Sequence, residues 1–402
     1  MSDAAIASSD LVREKLDQAS GILAEEQVDL WLTLVRETML TRDPALDLLG
    51  GVYCAWHGAF LVSRRGERIA IVGRFDAPAV EALDTYDRVV GYDESFRPAL
   101  VAELERLAPS SVALNYSESD PAADGLTHGL WLTIQDVLAS TGYGDRIVSS
   151  ERIVNALRGR KSPGEVELVR GAVAETEEIF EVGTAAIAPG LTEIAIADVF
   201  HGEVQRRGLG YAWGREHCPA VNAGPEKEVG HSGPTELRTA RSELLHVDFG
   251  VSRHGYCSDL QRVWYLLDEG ESEPPADVTA AWDALWSALD AGAGALRPGA
   301  RGWEVDQAAR ETLVAAGYPE PKYSLGHQLG RAAHDGGTLL GPRWDRYGQS
   351  PFGLVEEGNV FTLEFGTAVP GRGYIGLEED VLVTADGIEW LSTPQRELWL
   401  VP

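Results

Sequence analysis

Four carboxylates in two similar settings are the residues of this chain best placed to do chemistry. Residues 244–266 read LLHVDFGVSRHGYCSDLQRVWYL, two apolar runs around the polar turn Ser252-Arg253-His254-Gly255, with one aspartate in each run, Asp248 and Asp259. A simple antiparallel hairpin centred between Arg253 and His254 sets the two aspartates opposite each other, with Cβ atoms about 4.5–5.5 Å apart. Carboxylates that close, among Val, Phe, Leu and Trp, repel unless a cation sits between them, and hard divalent metals take oxygen ligands. Residues 360–383, VFTLEFGTAVPGRGYIGLEEDVLV, form a second hairpin pattern, with Glu364 and Glu378 equidistant from Gly371 in the turn.

Four converging carboxylates need compensating charge, and two divalent cations supply about the right amount. Metals roughly 3.5–4 Å apart bind a bridging water and lower its pKa. His327, in the glycine-flanked stretch SLGHQLG between the two hairpins, is the candidate neutral fifth ligand. Hydrolysis also needs donors for the oxyanion of a tetrahedral intermediate. His231, in VGHSGP, and His334, in RAAHDGG, are the candidates, both in loops that can line a cleft. Glu364, touching both metal and water, is the candidate base.

An internal repeat positions these groups. Pro189-Gly190 and Gly208 recur as Pro298-Gly299 and Gly317 at one constant interval. Each half reads as a helix running into Pro-Gly, a second helix ended by Gly, and a later acidic hairpin. A pseudo-twofold axis between the halves brings the four carboxylates to one site. Ahead of the repeat, Ser162, Pro163 and Glu165 make a strong helix start, with an apolar stripe of Val166, Val169, Val173 and Phe180 running to about Ala186. The domain boundary is therefore set near 157–162, giving domains 1–157 and 158–402. In the first domain, residues 10–48 are expected to be mainly helical. A hairpin of residues 59–63 and 68–72 follows, then alternating helices (77–83, 97–107) and strands (88–92, 111–115), a small α/β domain.

The chain has 402 residues, 44% hydrophobic and 24% charged, ordinary for a soluble globular protein. Its 63 acidic and 34 basic residues give a net charge of −29, which argues against nucleic-acid and anionic-membrane partners. Three scattered cysteines make no disulfide framework, and the polar N-terminus lacks a signal-peptide layout. No apolar run reaches the roughly 20 residues of a membrane helix. The expected location is the cytoplasm.

The segments HVDFG, GYCSD, SLGHQLG, FTLEFG and GLEEDVLVT resemble the metal-ligand segments of the pita-bread metallopeptidases, which include prolidases, aminopeptidase P, methionine aminopeptidase and creatinase. RKSPGE at Arg160–Glu165 resembles the usual entry to their catalytic domain, and the first 150 or so residues resemble the N-terminal domain of the creatinase and prolidase branch. The resemblance implies an α/β (α+β) chain with a C-terminal pita-bread domain. It implies Asp248, Asp259, His327, Glu364 and Glu378 as ligands of two divalent metals. Asp259 and Glu378 would help hold both ions, Glu364 would handle the water proton, and His231 and His334 would contact the substrate. Manganese fits oxygen-rich ligation best, with cobalt, zinc or iron as alternatives.

The chain also departs from the family pattern. Phe365 stands where proline is usual, Gly376 where arginine is usual, Gln328 where glycine is usual, and Asp335-Gly336-Gly337 follows His334. All are expected near the substrate cleft. The implied function is cleavage of the Xaa-Pro bond of dipeptides through a metal-bridging water, by a homodimer whose only other partner is a small proline-containing peptide. The alternatives are an Xaa-Pro aminopeptidase on longer peptides, a non-peptide amide hydrolase of the creatinase or ectoine-hydrolase type, and a non-catalytic binding protein on the same fold.

Overall fold

The computed structural model describes residues 9–139, 141–226, 230 and 232–402, in two compact units, one ending at Arg158 and one running from Gly159 to Pro402. None of the described helices is long and apolar enough to cross a membrane.

The first unit holds α1 (Ser9–Glu25), β1 (Leu30–Arg36), β2 (His57–Ser63), β3 (Arg68–Gly73), α2 (Ala77–Glu81), β4 (Arg88–Tyr92), α3 (Arg97–Leu107), β5 (Val112–Leu114), α4 (His128–Ala139), β6 (Ile147–Ser149) and α5 (Glu151–Gly159). Its six strands lie in the order β4-β3-β2-β1-β5-β6. The expected helix over residues 10–48 stops at Glu25, and Leu32 and Val35 belong to β1 instead. Six consecutive residues of β1, Leu30 to Val35, are buried. A strand buried on both faces reads as a continuous apolar run, which periodicity alone cannot separate from a helix.

The second unit begins with α6 (Pro163–Ala186), whose capping box is formed as expected. Ser162 Oγ accepts from the Glu165 amide at 3.3 Å, and Glu165 Oε2 accepts from the Ser162 amide at 2.9 Å. There follow α7 (Glu193–Arg207), β7 (Gly210–Tyr211), β8 (Ala220–Ala223), β9 (Leu244–Phe249), β10 (Val251–Arg253), β11 (Tyr256–Cys257) and β12 (Leu260–Leu266). The remaining elements are α8 (Ala276–Ala295), α9 (Gly302–Ala315), β13 (Val360–Val369), β14 (Gly373–Thr384), β15 (Gly387–Trp390) and β16 (Trp399–Val401).

The repeat is visible in the backbone. Gly190 and Gly299 take φ of 91° and 87° after α6 and α8, and Gly208 and Gly317 take 69° and 92° after α7 and α9. Each landmark glycine is thus in the left-handed region that ends a helix without a Cβ penalty.

One sheet carries both halves, in the order β13-β14-β12-β9-β8, with β15 on β14 and β16 on β12. Its helix-facing side is mainly apolar. Phe249 packs with Phe180 of α6 and Phe200 of α7, at centroid distances of 5.8 and 5.0 Å. Phe365 lies in the core formed by α8, α9, β13 and β14. Each phenylalanine directly follows an acidic residue, Asp248 or Glu364. Since successive strand residues point to opposite faces, the acids stand on the other side of the sheet. Burial of such side chains contributes about 1.5–3 kcal/mol each, so the apolar face holds the acidic face in place.

The two hairpins differ in register. In the second, Glu364 stands opposite Glu378, as their spacing predicts. In the first, Asp248 stands opposite Gln261, not Asp259. His254 and Gly255 have φ of 52° and 77°, a two-residue turn with both central residues left-handed. This sets the turn one residue later than assumed, and Ser252 pairs with Cys257 in the β10–β11 end, which joins a separate small sheet with β7. The total register shift is two residues, so Asp259 stays on the face of Asp248 but takes a diagonal position.

Candidate metal centre

A continuous row crosses the acidic face. Glu364 on β13 pairs with Glu378 on β14, Glu378 with Gln261 on β12, and Gln261 with Asp248 on β9. Asp259, two residues before Gln261, joins the same face, where the charge of Asp248 acts on its carboxyl. His327 comes from outside the ladder of named strands. Its segment runs along β13, with the Glu364 amide donating to Leu325 O at 2.6 Å and the Thr362 amide to His327 O at 3.0 Å. This brings His327 Nε2 within 3.7 Å of Glu364 Oε1, 3.8 Å of Asp259 Oδ2 and 3.9 Å of Glu378 Oε1. One ligand atom from each of Asp259, His327 and Glu378 lies within 4.8 Å of the others.

The electrostatics of this cluster call for a cation. Burial, then the charge of Asp248, pushes the Asp259 carboxyl well above the usual range, and burial, then Asp259, does the same to Glu378. Asp248 and Glu364 are also raised, chiefly by burial. Burial, with His334 nearby, lowers His327 to about 3, so its imidazole is neutral. Four crowded acids that resist ionisation beside a neutral imidazole form a set that a divalent metal converts to full ligands. Asp248 Oδ1 is buried with no hydrogen-bond partner, a further oxygen suited to ligation. The residues therefore fit a divalent metal site.

His334 is exposed and lies edge-on to His327, with ring centroids 4.3 Å apart. His231 lies outside the described residues.

Other residues close to the ligand segments in the sequence lie elsewhere. Phe365 is in the helix-side core and not at the cleft. Gln328 is buried and points away from His327, against Gly159 and Gly337. Both follow from alternation along an extended chain. Asp335 forms a buried ion pair with Lys161 at 3.1 Å, which ties the entry of the second unit to the His334 loop. Tyr256 donates to Glu165 Oε1 at 2.8 Å and so anchors the start of α6. Arg343 stacks on Trp303 of α9, 4.3 Å from the ring centroid.

Three polar residues at the centre escaped the motif reading: Gln261, His246 and Arg262. Recognising His254-Gly255 as the turn places Gln261 in the ligand row, and His246, two residues before Asp248, on the same face. Arg262 lies behind the row, bidentate to Glu379 at 3.1 Å per contact, the pair almost fully buried.

Two repeated halves, each giving a helix pair and an acidic hairpin to one shared sheet, define a pita-bread fold. The chain belongs to metallopeptidase family M24, whose family model matches residues 167–385. Use of a divalent metal is a property of that family. The Xaa-Pro dipeptidase of Lactobacillus helveticus is 29% identical over 62% of this chain and 64% of its own length, just under two thirds of that relative. Two solved structures superpose over nearly the whole chain. The Xaa-Pro dipeptidase from Bacillus anthracis matches at TM-score 0.74 and 20% identity, covering 97% of this chain and 100% of that one. An X-Pro aminopeptidase from Thermotoga maritima matches at TM-score 0.70 and 23% identity, covering 96% and 99%. At these identities the structural likeness establishes the fold.

Proposed function

We propose that this chain is a dinuclear-metal-dependent Xaa-Pro dipeptidase. The observation that carries this is the convergence of Glu364, Glu378 and Asp259 on His327 Nε2 at 3.7–3.9 Å, with Asp248 in the same row opposite Gln261. Asp248, Asp259, His327, Glu364 and Glu378 would hold the two ions, and manganese suits this oxygen-rich set. Bound divalent ions supply Lewis-acid charge and lower the pKa of a water. Glu364 takes the proton of the attacking water and passes it to the departing proline nitrogen. His334, at the open edge beside His327, donates to the oxyanion as the carbonyl becomes tetrahedral. His231 is assigned the same task from the sequence pattern alone.

The relative from Lactobacillus helveticus, named an Xaa-Pro dipeptidase, supports the substrate assignment. Residues 158–402 form the catalytic domain in this reading and 1–157 its N-terminal companion. The protein acts as a homodimer in the cytoplasm. The three cysteines, all buried as free thiols, suit a reducing compartment.

The test is a manganese-supplemented panel of Xaa-Pro dipeptides, Xaa-Pro-Xaa tripeptides and Xaa-Ala dipeptides. Preferential cleavage of Xaa-Pro dipeptides is expected. Cleavage of the tripeptides alone would replace this reading with an aminopeptidase. Full activity after chelation would remove the metal from it.

A further inference from the structure

Asn222, His246 and Gln261 form a buried hydrogen-bonded chain that ends on two of the candidate ligands. Asn222 Nδ2 lies 3.1 Å from His246 Nδ1, and His246 Nε2 lies 2.8 Å from Gln261 Oε1. Gln261 Nε2 then donates to Glu378 Oε2 at 2.9 Å and to Glu364 Oε2 at 3.2 Å. The sheet register builds this chain. Asn222 on β8 is the cross-strand partner of His246 on β9, and Gln261 pairs with both Asp248 and Glu378.

The direction of every bond is forced from the acidic end. Carboxylates ionised as metal ligands only accept, so in that state Gln261 presents its amino group to them and its oxygen to His246. His246 must then carry its proton on Nε2, which leaves Nδ1 to accept from the Asn222 amide. Both N–H groups and the carbonyl oxygen of Gln261 are thereby engaged.

The chain also sorts the oxygens of the ligands. The glutamine amide takes Oε2 of both glutamates, while the Oε1 atoms are the ones that face His327 Nε2, at 3.7 and 3.9 Å. A glutamine in the row between Glu378 and Asp248 thus holds one oxygen of each glutamate and leaves the other turned to the centre.

Gly376 makes room for it. A Cβ there would overlap Gln261 Oε1 and lie 2.5 Å from His246 Nε2. The arginine expected at this position from the family pattern and the Asn222–His246–Gln261 chain therefore cannot share the space. Tyr374 closes the flank, edge-on to His246 with centroids 5.3 Å apart.

We infer that Gln261 is a positioning residue, held by His246 and Asn222, that orients Glu364 and Glu378 toward the metal centre in the space left by Gly376. This rests on the metal-dependent reading above. The experiment titrates manganese calorimetrically into metal-free wild type, Gln261→Leu, His246→Phe and Gly376→Ala, with melting curves of each and kcat and KM on an Xaa-Pro dipeptide. Loss of outer-sphere partners typically weakens metal binding or activity about 10–100-fold. Each variant is expected to bind manganese about 10–100-fold more weakly and to lose kcat, with KM within about twofold. His246→Phe and Gly376→Ala touch neither glutamate, so they keep the proposal testable if Gln261→Leu fails to fold. Wild-type manganese affinity in folded Gln261→Leu or in His246→Phe overturns the relay. Absence of manganese binding by the wild-type protein overturns the metal reading itself, and the relay with it.

Discussion

Arg262→Leu should be among the most damaging single changes in the second unit. Arg262 follows Gln261 on β12 and so points to the helix side of the sheet, where its guanidinium lies 5.7 Å from the Phe180 ring centroid. It meets Glu379 with both terminal nitrogens, and the two side chains are 3% and 0% exposed. It also donates to the backbone oxygens of Gln261 at 2.9 Å and Glu378 at 3.1 Å, clamping β12 to β14 at the pair that carries the ligand row. Removing one partner of a buried ion pair strands the other and costs about 3–5 kcal/mol. Ser392 and the Gln395 amide still bond Glu379, but neither carries a charge. At about 2–4 °C per kcal/mol for a unit of this size, Tm should fall roughly 6–20 °C. Arg262→Leu combined with Glu379→Leu should recover most of the loss, since replacing both members with apolar groups is often neutral. Denaturant and thermal unfolding of the metal-free proteins measure both. A single variant within about 1 kcal/mol of wild type, or a double as unstable as the single, refutes the argument.

Three further outcomes are expected. Glu364→Ala should abolish turnover of Xaa-Pro dipeptides while melting and far-ultraviolet spectra stay near wild type; residual activity above about 1% would remove Glu364 as the base. His334→Ala should lower kcat/KM about 10²–10³-fold, the usual effect of losing one oxyanion donor, with metal content by elemental analysis unchanged. In metal-free protein, Asp248 is raised from 3.8 to about 7 and Glu364 from 4.5 to about 8, both mainly by burial. The folded chain then holds protons that the unfolded chain releases. Their stabilising contribution is complete below about pH 4 and lost as pH rises through about 8. Chelator-treated protein should melt lower at about pH 8.5 than at about pH 5, and manganese should reverse this at the higher pH; a Tm that rises with pH after chelation contradicts it.

Much of the centre was legible because it depends on short-range pattern. Glu364 and Glu378 could be paired across Gly371 because a regular hairpin maps spacing onto register. The duplicated Pro-Gly and Gly landmarks could be matched because left-handed helix ends demand glycine. The Asp248–Asp259 pairing failed on one turn. His254 takes a left-handed conformation that its identity does not advertise, and the shift hid Gln261 in the ligand row. Leu30 to Val35 read as helix because burial on both faces erases alternation. Gln328 and Phe365 adjoin ligands in the sequence, but strand geometry sends immediate neighbours to the opposite side. The relay of Asn222, His246 and Gln261 joins three strands, so no local window contains it.

The duplicated arrangement has a topological consequence. Asp248 and Asp259 come from the first half of the repeat and Glu364 and Glu378 from the second, with α8 and α9 between them in the chain. In the proposed function, metal held by all four would be a cross-link between distant points of the polypeptide, as a disulfide is, but reversible. Neither half can detach without surrendering it. In metal-loaded protein, amides of β9 and β13 should exchange with solvent as one cooperative unit, and chelation should let the two halves open at separate rates.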